Sequence, residues 1–237
     1  MPGGPAVRTV AGMHNEIPHH TSAGRPTAFD RASAALYDPF LWLGERAGLR
    51  ARRQALLGHA RGRTVELGAG TGLNLRLYPA GLEELVLTEP DPGMRARLAR
   101  RVSRSGRPAR VIDAGAQHLP FEDESVDTVV CTLVLCTVDA PDLALREIER
   151  VLRPDGQLLF IEHVRSESPT LARWQDWMER PWRRFAQGCR CNRATEELIG
   201  ASGLELGQLS HASWRGMPPI VAPLISGRAV RLGCLGT

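Results

Sequence analysis

The chain has 237 residues, 43% of them hydrophobic and 24% charged, with 30 basic and 26 acidic side chains. This length and apolar content suit one α/β domain with a sizeable core. The longest apolar runs fall well short of the roughly 20 residues that a membrane-spanning helix needs, and the polar N-terminus lacks the apolar stretch of a secretory signal. A net charge of +4 with interspersed acids, and no aromatic residues interleaved with the basic ones, argues against nucleic-acid binding.

The five cysteines are an odd number, which in the absence of a secretory signal indicates free thiols in a reducing cytoplasm. They lie at positions 131, 136, 189, 191 and 234. Cys189 and Cys191 supply only two of the about four ligands that a zinc site needs, so we predict no metal site. We therefore expect a cytoplasmic protein without stable membrane insertion, and the sequence leaves its oligomeric state open.

The N-terminal region divides into two parts. Residues 1–25 are rich in Pro, Gly and His and are expected to be disordered, while residues 26–237 are expected to form a single domain. Two helices are predicted first, over Phe29–Tyr37 and Leu41–His59. We interpret the region 26–60 as a helical lid.

From Arg63 onward, apolar strands alternate with helices. Strands are predicted within "RTVELGAG", "ELVLTEPD", "ARVIDAG", "VDTVVCTLVL" and "QLLFIEHV", and two more within "LELGQLSHASW" and "GRAVRLG". Helices are predicted within "TGLNLRLYP" and over Asp91–Arg104, Asp142–Val151, Thr170–Arg184 and Thr195–Ser202. This alternation predicts a Rossmann-like α/β fold, a mostly parallel seven-stranded sheet with helices on both faces. Ligands bind such a sheet at the carboxyl ends of its strands.

The segment "VELGAGTG" (65–72) predicts a nucleotide-type site after the first strand. Gly68 and Gly70 allow a sharp turn and a close approach of the backbone to a ligand. Glu66 precedes them by two residues, where its carboxylate can reach an ammonium group. Glu89 ends the second strand about 20 residues later, where it can accept hydrogen bonds from ribose hydroxyls. These acids, with GAGTG in place of GxGxxG, favour S-adenosylmethionine over a dinucleotide.

The segment "DAGAQHLPF" (113–121) follows the third strand and is expected to flank an adenine ring. Backbone amides near Ala116, or the amide of Gln117, are candidates to read the edge of the base. Met94 and Leu119 are candidates to sandwich its faces.

Four stretches, "VELGAGTG", "TEPDPGM", "AQHLPFEDESVDTVV" and "REIERVLRPDGQLLFIEHV", resemble the class I S-adenosylmethionine-dependent methyltransferases. The resemblance implies S-adenosylmethionine as the cofactor and S-adenosylhomocysteine as its product. It places cofactor binding on Glu66, Gly68, Gly70, Asn74, Glu89, Gln117, and Cys131 or Thr132. We expect Ala69, Pro90, Met94 and Ala116 to line the same site.

A second set of stretches, "VVCTLVLCTV", "LLFIEHV", "WQDWMERPWRRFAQGCRCNRAT" and "SGRAV", resembles the methyltransferase-like seven branch and its bacterial relatives. The animal members of that branch are membrane-attached alkyl thiol S-methyltransferases. The resemblance implies methylation of a small apolar or amphipathic acceptor, with a thiol as the first choice, by in-line displacement. An N- or O-methyltransferase that acts on a phospholipid amine or a secondary metabolite remains the alternative.

The candidate residues for the acceptor lie outside the glycine-rich segment. His163 ends the fifth strand, at the edge where a base could receive the thiol proton, although it could also support the strand end. Tyr37, Trp42, Trp177 and Cys191 are candidates for the substrate pocket, with core packing as the other interpretation of each. Cys191 stands where the bacterial relatives usually have Leu.

Overall fold

A computed structural model describes residues 27–231. The expected disordered segment 1–25 lies outside the described residues. Helix α1 (Ala28–Gly44) leads through a π-helical turn (Glu45–Leu49) into helix α2 (Arg50–Leu57). The predicted break between Tyr37 and Leu41 is wrong, because α1 continues through Pro39. The helical path is instead interrupted at Gly48, whose φ of 131° is accessible chiefly to glycine.

Seven strands form one sheet in the order β3-β2-β1-β4-β5-β7-β6. The strands are Arg63–Leu67 (β1), Glu84–Thr88 (β2), Arg110–Ile112 (β3), Val126–Thr132 (β4), Leu152–His163 (β5), Leu204–Ser213 (β6) and Pro223–Arg231 (β7). Strand β7 alone runs in the direction opposite to the other six strands, so the predicted mostly parallel seven-stranded sheet is confirmed. The strand order reverses between β1 and β4, and the carboxyl ends at such a switch point form a crevice.

Helices cover both faces of the sheet, as predicted. They are α3 (Pro92–Ser105), α4 (Pro141–Val151), α5 (Pro169–Phe185) and α6 (Thr195–Gly200), and a 3-10 turn covers Pro219–Val221. Successive residues of β4 enter different cores: Val129 and Cys131 pack in one cluster, and Val130 in another. Both faces of the central strands are therefore buried, as the apolar sequences of parallel strands require. The described residues include no helix with the length and hydrophobicity to cross a bilayer.

The segment after β1 differs from the sequence prediction. Residues 71–79 were expected to form a helix, but they form a series of turns. Gly70 and Gly72 have φ values of 57° and 85°, which a right-handed helix excludes. The main-chain hydrogen bonds here span three residues, as in Gly72 N–H to the Ala69 carbonyl at 2.9 Å. These turns direct the Asn74 side chain back toward β1.

Helix α5 is attached to the body of the protein through one buried side chain. Gln175 is fully buried, and its Oε1 accepts a hydrogen bond from the Ser166 N–H at 2.8 Å. Its Nε2 lies 2.8–3.1 Å from the carbonyl oxygens of Val164, Cys191 and Ile220. Gln175 thereby ties α5 to the end of β5 and to the loops on either side.

Candidate active site

The loops that follow β1 to β5 surround a cavity of about 550 Å³, a volume in the range of small-molecule sites. The part of its lining that we expected to bind the cofactor consists of Gly68, Gly70, Glu89, Pro90, Asp91, Met94, Gly115, Ala116 and Gln117. The opposite wall contains Leu133, Val134, Cys136, His163, Trp182, Cys189, Trp214, Met217 and Val221. The cavity therefore joins the expected nucleotide site to a largely apolar chamber.

The turn after β1 brings main chain to the cavity surface. Gly68 and Gly70 have φ values of 54° and 57°, in the left-handed region. A Cβ on Gly68 would lie 2.9 Å from Cγ2 of Val134, so a larger residue there would displace the loop after β4. These glycines leave room for a ligand along the backbone.

Glu66 is the centre of a buried hydrogen-bond network. Its two carboxylate oxygens accept hydrogen bonds from Asn74 Nδ2 and the Tyr78 hydroxyl, each at 2.8 Å. Asn74 Nδ2 also donates to Thr132 Oγ1 at 3.0 Å, and Arg53 donates to Asn74 Oδ1 at 3.1 Å. Burial raises the pKa of Glu66 to about 7, against the lowering effect of these hydrogen bonds.

A small recess of about 20 Å³ adjoins the main cavity beside this network. It is lined by Tyr37, Arg53, Glu66, Gly68, Ala69, Gly70, Thr71, Leu73, Asn74 and Thr132. Thr132, at the end of β4, therefore faces the site. Cys131 does not: it is fully buried in the core, because neighbouring residues of a strand point to opposite faces.

Glu89 follows β2 at the mouth of the cavity. Its Oε2 accepts a hydrogen bond from the Gly70 N–H at 2.7 Å, and its Oε1 accepts one from the Asp91 N–H at 2.8 Å. Burial raises the pKa of Glu89. Each carboxylate oxygen retains a second lone pair, which a hydroxyl of a ligand can use.

The adenine end is partly as expected. Met94, Ala116 and Gln117 line the cavity, and α3 is fixed there because Asp91 caps its first turn through the Met94 N–H at 2.7 Å. Leu119, expected on the other face of the base, packs in the core instead. Its N–H is bound to Glu147 Oε2 at 2.7 Å, which turns this segment away from the cavity.

His163 lies at the far end of the cavity, where β5 ends. It is only 5% exposed, and its ring stacks on that of Trp214 with 5.3 Å between centroids. Its Nδ1 is buried without a hydrogen-bond partner among residues 27–231. Burial lowers the pKa of His163 to about 4, so the imidazole is neutral near pH 7. Such an imidazole accepts hydrogen bonds but is a weaker base than we expected.

Three of the four residues proposed for the substrate pocket lie elsewhere. Trp42 is 56% exposed and lies under the Arg46 guanidinium, and Trp177 is 75% exposed. Helix α5 turns Ala172, Gln175 and Trp182 inward, which leaves Trp177 on the solvent face. The inward Trp182 lines the cavity in its place.

The two cysteines that follow α5 also lie in different surroundings. Cys191 is fully buried behind the cavity wall, with its Sγ 3.8 Å from the Gln175 carbonyl oxygen, so its assignment to the pocket is wrong. Cys189 lines the cavity together with Cys136, and their Sγ atoms lie 3.9 Å apart. The tight loop, with Gly188 at φ 99°, turns the two cysteines in different directions.

Helix α1 closes one side of the cavity. Tyr37, Phe40 and Leu41 line it, and burial raises the pKa of the Tyr37 hydroxyl to about 12. Asp38, on the same helix, pairs with Arg101 of α3 at 2.6 Å and accepts a hydrogen bond from Thr71. The N-terminal helical segment thus forms part of the cavity wall.

Comparison with known proteins gives the family. A model described as a methyltransferase domain matches residues 65–160. Thiol S-methyltransferase TMT1B of Rattus norvegicus is 36% identical over 176 residues, covering 70% of each chain. A SAM-dependent methyltransferase structure from Thermotoga maritima aligns at a TM-score of 0.62 and 23% identity, covering 86% of this chain and 97% of that one. The chain belongs to the class I S-adenosylmethionine-dependent methyltransferases.

A methyltransferase named for a different acceptor is also similar to this chain. A phosphatidylethanolamine N-methyltransferase of Cereibacter sphaeroides is 34% identical over 126 residues, which cover 51% of this chain and 61% of that protein. The present methyltransferase is an enzyme with S-adenosylmethionine as its cofactor, and its relatives include proteins named for thiol and for phosphatidylethanolamine methylation.

Sequence reasoning missed Glu162, which shapes the acceptor end of this methyltransferase. Its carboxylate is fully buried and accepts hydrogen bonds from the N–H groups of Val134, Leu135 and Cys136 at 2.9–3.1 Å. Glu162 thereby holds the loop that follows β4, in which Leu133 has a φ of 62°. The available signal was an acid that interrupts the apolar run "LLFIEHV" just before His163.

Proposed function

We propose that this methyltransferase transfers a methyl group to the thiol of a small apolar or amphipathic acceptor by in-line displacement. The observation that carries the proposal is the acceptor chamber, whose largely apolar lining includes His163, Cys136 and Cys189. The similarity to a protein named a thiol S-methyltransferase, over 70% of both chains, supports the same acceptor class.

The donor end provides groups that fit S-adenosylmethionine. Bound there, this cofactor supplies an electrophilic methyl group on a sulfonium. Glu66 and Asn74, in the small recess, would hold the ammonium and carboxylate of its methionine part. Glu89 would accept hydrogen bonds from the ribose hydroxyls, and Met94 would pack on the adenine. The glycine turn supports this fit, because a Cβ on Gly70 would have no neighbour closer than Cε1 of Tyr37 at 4.0 Å, which leaves space for a ligand there.

The acceptor end would orient a thiol and exclude water. A thiol is a weak hydrogen-bond donor, and the neutral imidazole of His163 provides an acceptor for it. Trp182 and Trp214, which are 8% and 3% exposed, form apolar walls on this side. Alignment in a dry chamber is the main contribution that a protein makes to such a displacement.

Transfer of a labelled methyl group from S-adenosylmethionine to a panel of matched thiols, amines and phenols tests the proposal. We expect label in alkyl or aryl thiols, and a loss of at least about tenfold in thiol turnover for His163→Ala. Labelling of amines or phenols with no thiol labelled would reject the thiol. Unchanged turnover in His163→Ala would remove His163 from the reaction.

A second candidate, methylation of a phospholipid amine, is favoured by the protein surface beside the cavity. Leu43 and Phe185, at the ends of α1 and α5, are 54% and 66% exposed, and Arg183 and Arg184 lie in the last turn of α5. Exposed apolar and basic side chains together suit an anionic lipid surface. Label found in phosphatidylethanolamine vesicles, and in no soluble thiol, would select this candidate.

A further inference from the structure

Three side chains that bind soft metals converge at the acceptor end of the cavity. They are Cys136 in the loop after β4, His163 at the end of β5, and Cys189 in the loop after α5. One ligand atom from each lies within 4.8 Å of the other two, and all three residues are buried. All three also line the cavity.

The spacing of the two sulfurs matches a tetrahedral metal site. Zinc binds thiolates at about 2.3 Å, which places two sulfurs about 3.8 Å apart at tetrahedral angles. The observed Sγ–Sγ distance is 3.9 Å. A disulfide would need about 2.0 Å, and both cysteines are free.

The ligand-bearing loops are held together by their own main chains. The Arg190 N–H donates to the Cys136 carbonyl at 2.8 Å, which joins the loop after α5 to the loop after β4. Glu162 fixes the Cys136 N–H at 3.1 Å, and its buried carboxylate places negative charge close to the three ligands. The site is therefore organised before any ion arrives.

We propose that Cys136, Cys189 and His163 bind Zn²⁺ and leave its fourth position open to the cavity for the sulfur of the acceptor. Three protein ligands and one open position are typical of catalytic zinc sites, whereas structural sites are closed by four. The proposal rests on the proposed thiol acceptor, because sulfur is the ligand that such a site would select from the chamber.

The metal would activate the acceptor thiol, and His163 would then bind the metal in place of a hydrogen bond to that thiol. Binding of Zn²⁺ releases the protons of the two cysteine thiols to solvent. The acceptor thiol then binds at the fourth position as a thiolate, and its proton also passes to water. A lone pair of that sulfur forms the new carbon–sulfur bond while the methyl–sulfonium bond breaks. The electron pair of the broken bond stays on the departing sulfur, so the metal is not consumed.

Metal binding can be measured without any methyl acceptor. The full-length protein, freed of metal with a chelator under reducing conditions, is titrated with Co²⁺ and then with Zn²⁺. We expect one equivalent of Co²⁺ to give an intense sulfur-to-cobalt charge-transfer band, and Zn²⁺ to abolish it by replacement. In Cys136→Ser, Cys189→Ser and His163→Gln, affinity for Zn²⁺ should fall at least about tenfold. Cys191→Ala is the matched control and should bind Zn²⁺ as the unaltered protein does.

If a variant does not fold, measurements on the unaltered protein still test the proposal. Absence of the charge-transfer band in it, a weakened band in Cys191→Ala, or oxidation of Cys136 and Cys189 to a disulfide that Zn²⁺ does not prevent would overturn the metal site. Methylation of thiols at equal rates with and without Zn²⁺ would overturn the activating role while the proposed function stands. Metal binding without methylation of any thiol would instead reject the proposed function.

Discussion

The carboxylate of Glu66 is almost completely shielded from solvent. It is 2% exposed, and burial raises its pKa to about 7. A ligand ammonium would stabilise only the ionised form of this residue. Cofactor binding and ionisation of Glu66 are therefore linked, and each should favour the other.

We predict that the affinity for S-adenosylmethionine rises as the pH rises from about 5.5 through the pKa of Glu66, and then levels off. Below that pKa, binding has to remove a proton from Glu66 and is weakened accordingly. In Glu66→Gln the affinity should fall about 10- to 100-fold at neutral pH, the loss of one charged hydrogen bond of about 1.5–3 kcal/mol. Calorimetric titration at several pH values measures both effects.

The variant Glu66→Gln also distinguishes the pH effect of Glu66 from that of Glu89. Burial raises the pKa of Glu89 as well. Any pH dependence that persists in Glu66→Gln would belong to Glu89 or to the ligand. An identical pH profile in the variant and the unaltered protein would contradict the assignment of the ammonium to Glu66.

Glu162 offers a test of stability at the residue scale. Replacing it with Gln puts an NH₂ group, or a neutral oxygen, against three main-chain N–H groups that now share a buried carboxylate. We expect Glu162→Gln to lower the free energy of unfolding by about 2–4 kcal/mol, measured in urea. Glu167→Gln, on the exposed loop nearby, should change it by less than about 0.5 kcal/mol. Equal midpoints for the two variants would argue against this role.

At the scale of elements, helix α5 has one face toward solvent and one face toward the cavity. Gln175 anchors the helix by hydrogen bonds to four main-chain groups, and Trp182 projects from the same side. Trp182 packs against Phe40 of α1 with 6.4 Å between ring centroids. The last turns of α1 and α5 therefore meet over the acceptor chamber.

Two tryptophans of α5 make a matched pair of substitutions. We expect Trp182→Ala to raise the KM for the acceptor and to lower the free energy of unfolding by about 3 kcal/mol, since it removes a buried ring. Trp177→Ala should change neither, because this side chain is 75% exposed. Steady-state kinetics with a soluble acceptor measure the KM. A larger KM change in Trp177→Ala would restore that residue to the pocket.

Cofactor binding should raise the melting temperature of the whole molecule. At about 100 times its dissociation constant a ligand stabilises the folded state by about 2.7 kcal/mol. For a domain of about 150–250 residues this corresponds to a rise in Tm of roughly 5–10 °C. We expect this rise with S-adenosylmethionine and with S-adenosylhomocysteine in a thermal melt. A rise with NADH, and none with these two, would contradict the cofactor site.

The mostly parallel sheet and many residues that line the donor side of the cavity could be predicted from local patterns. Apolar runs that end in glycine or acid residues marked β1 and β2, and the strand–helix alternation predicted the parallel sheet. The predicted helix over residues 71–79 was wrong. Residues 71–79 form turns because two glycines have positive φ, and Asn74 is drawn back to Glu66.

The sequence by itself determined the fold class, the family and the glycine turn, because the strand–helix alternation and the motifs are patterns among residues that are close in sequence. Only the tertiary structure decided which side chains face the acceptor. Helical phase brings Trp182 rather than Trp177 to the cavity. Alternation along the strand brings Thr132 rather than Cys131 to the adjoining recess, and loop geometry brings Cys189 rather than Cys191 to the cavity. The convergence of Cys136, His163 and Cys189 joins three elements that are distant in sequence, so no spacing of residues could reveal it.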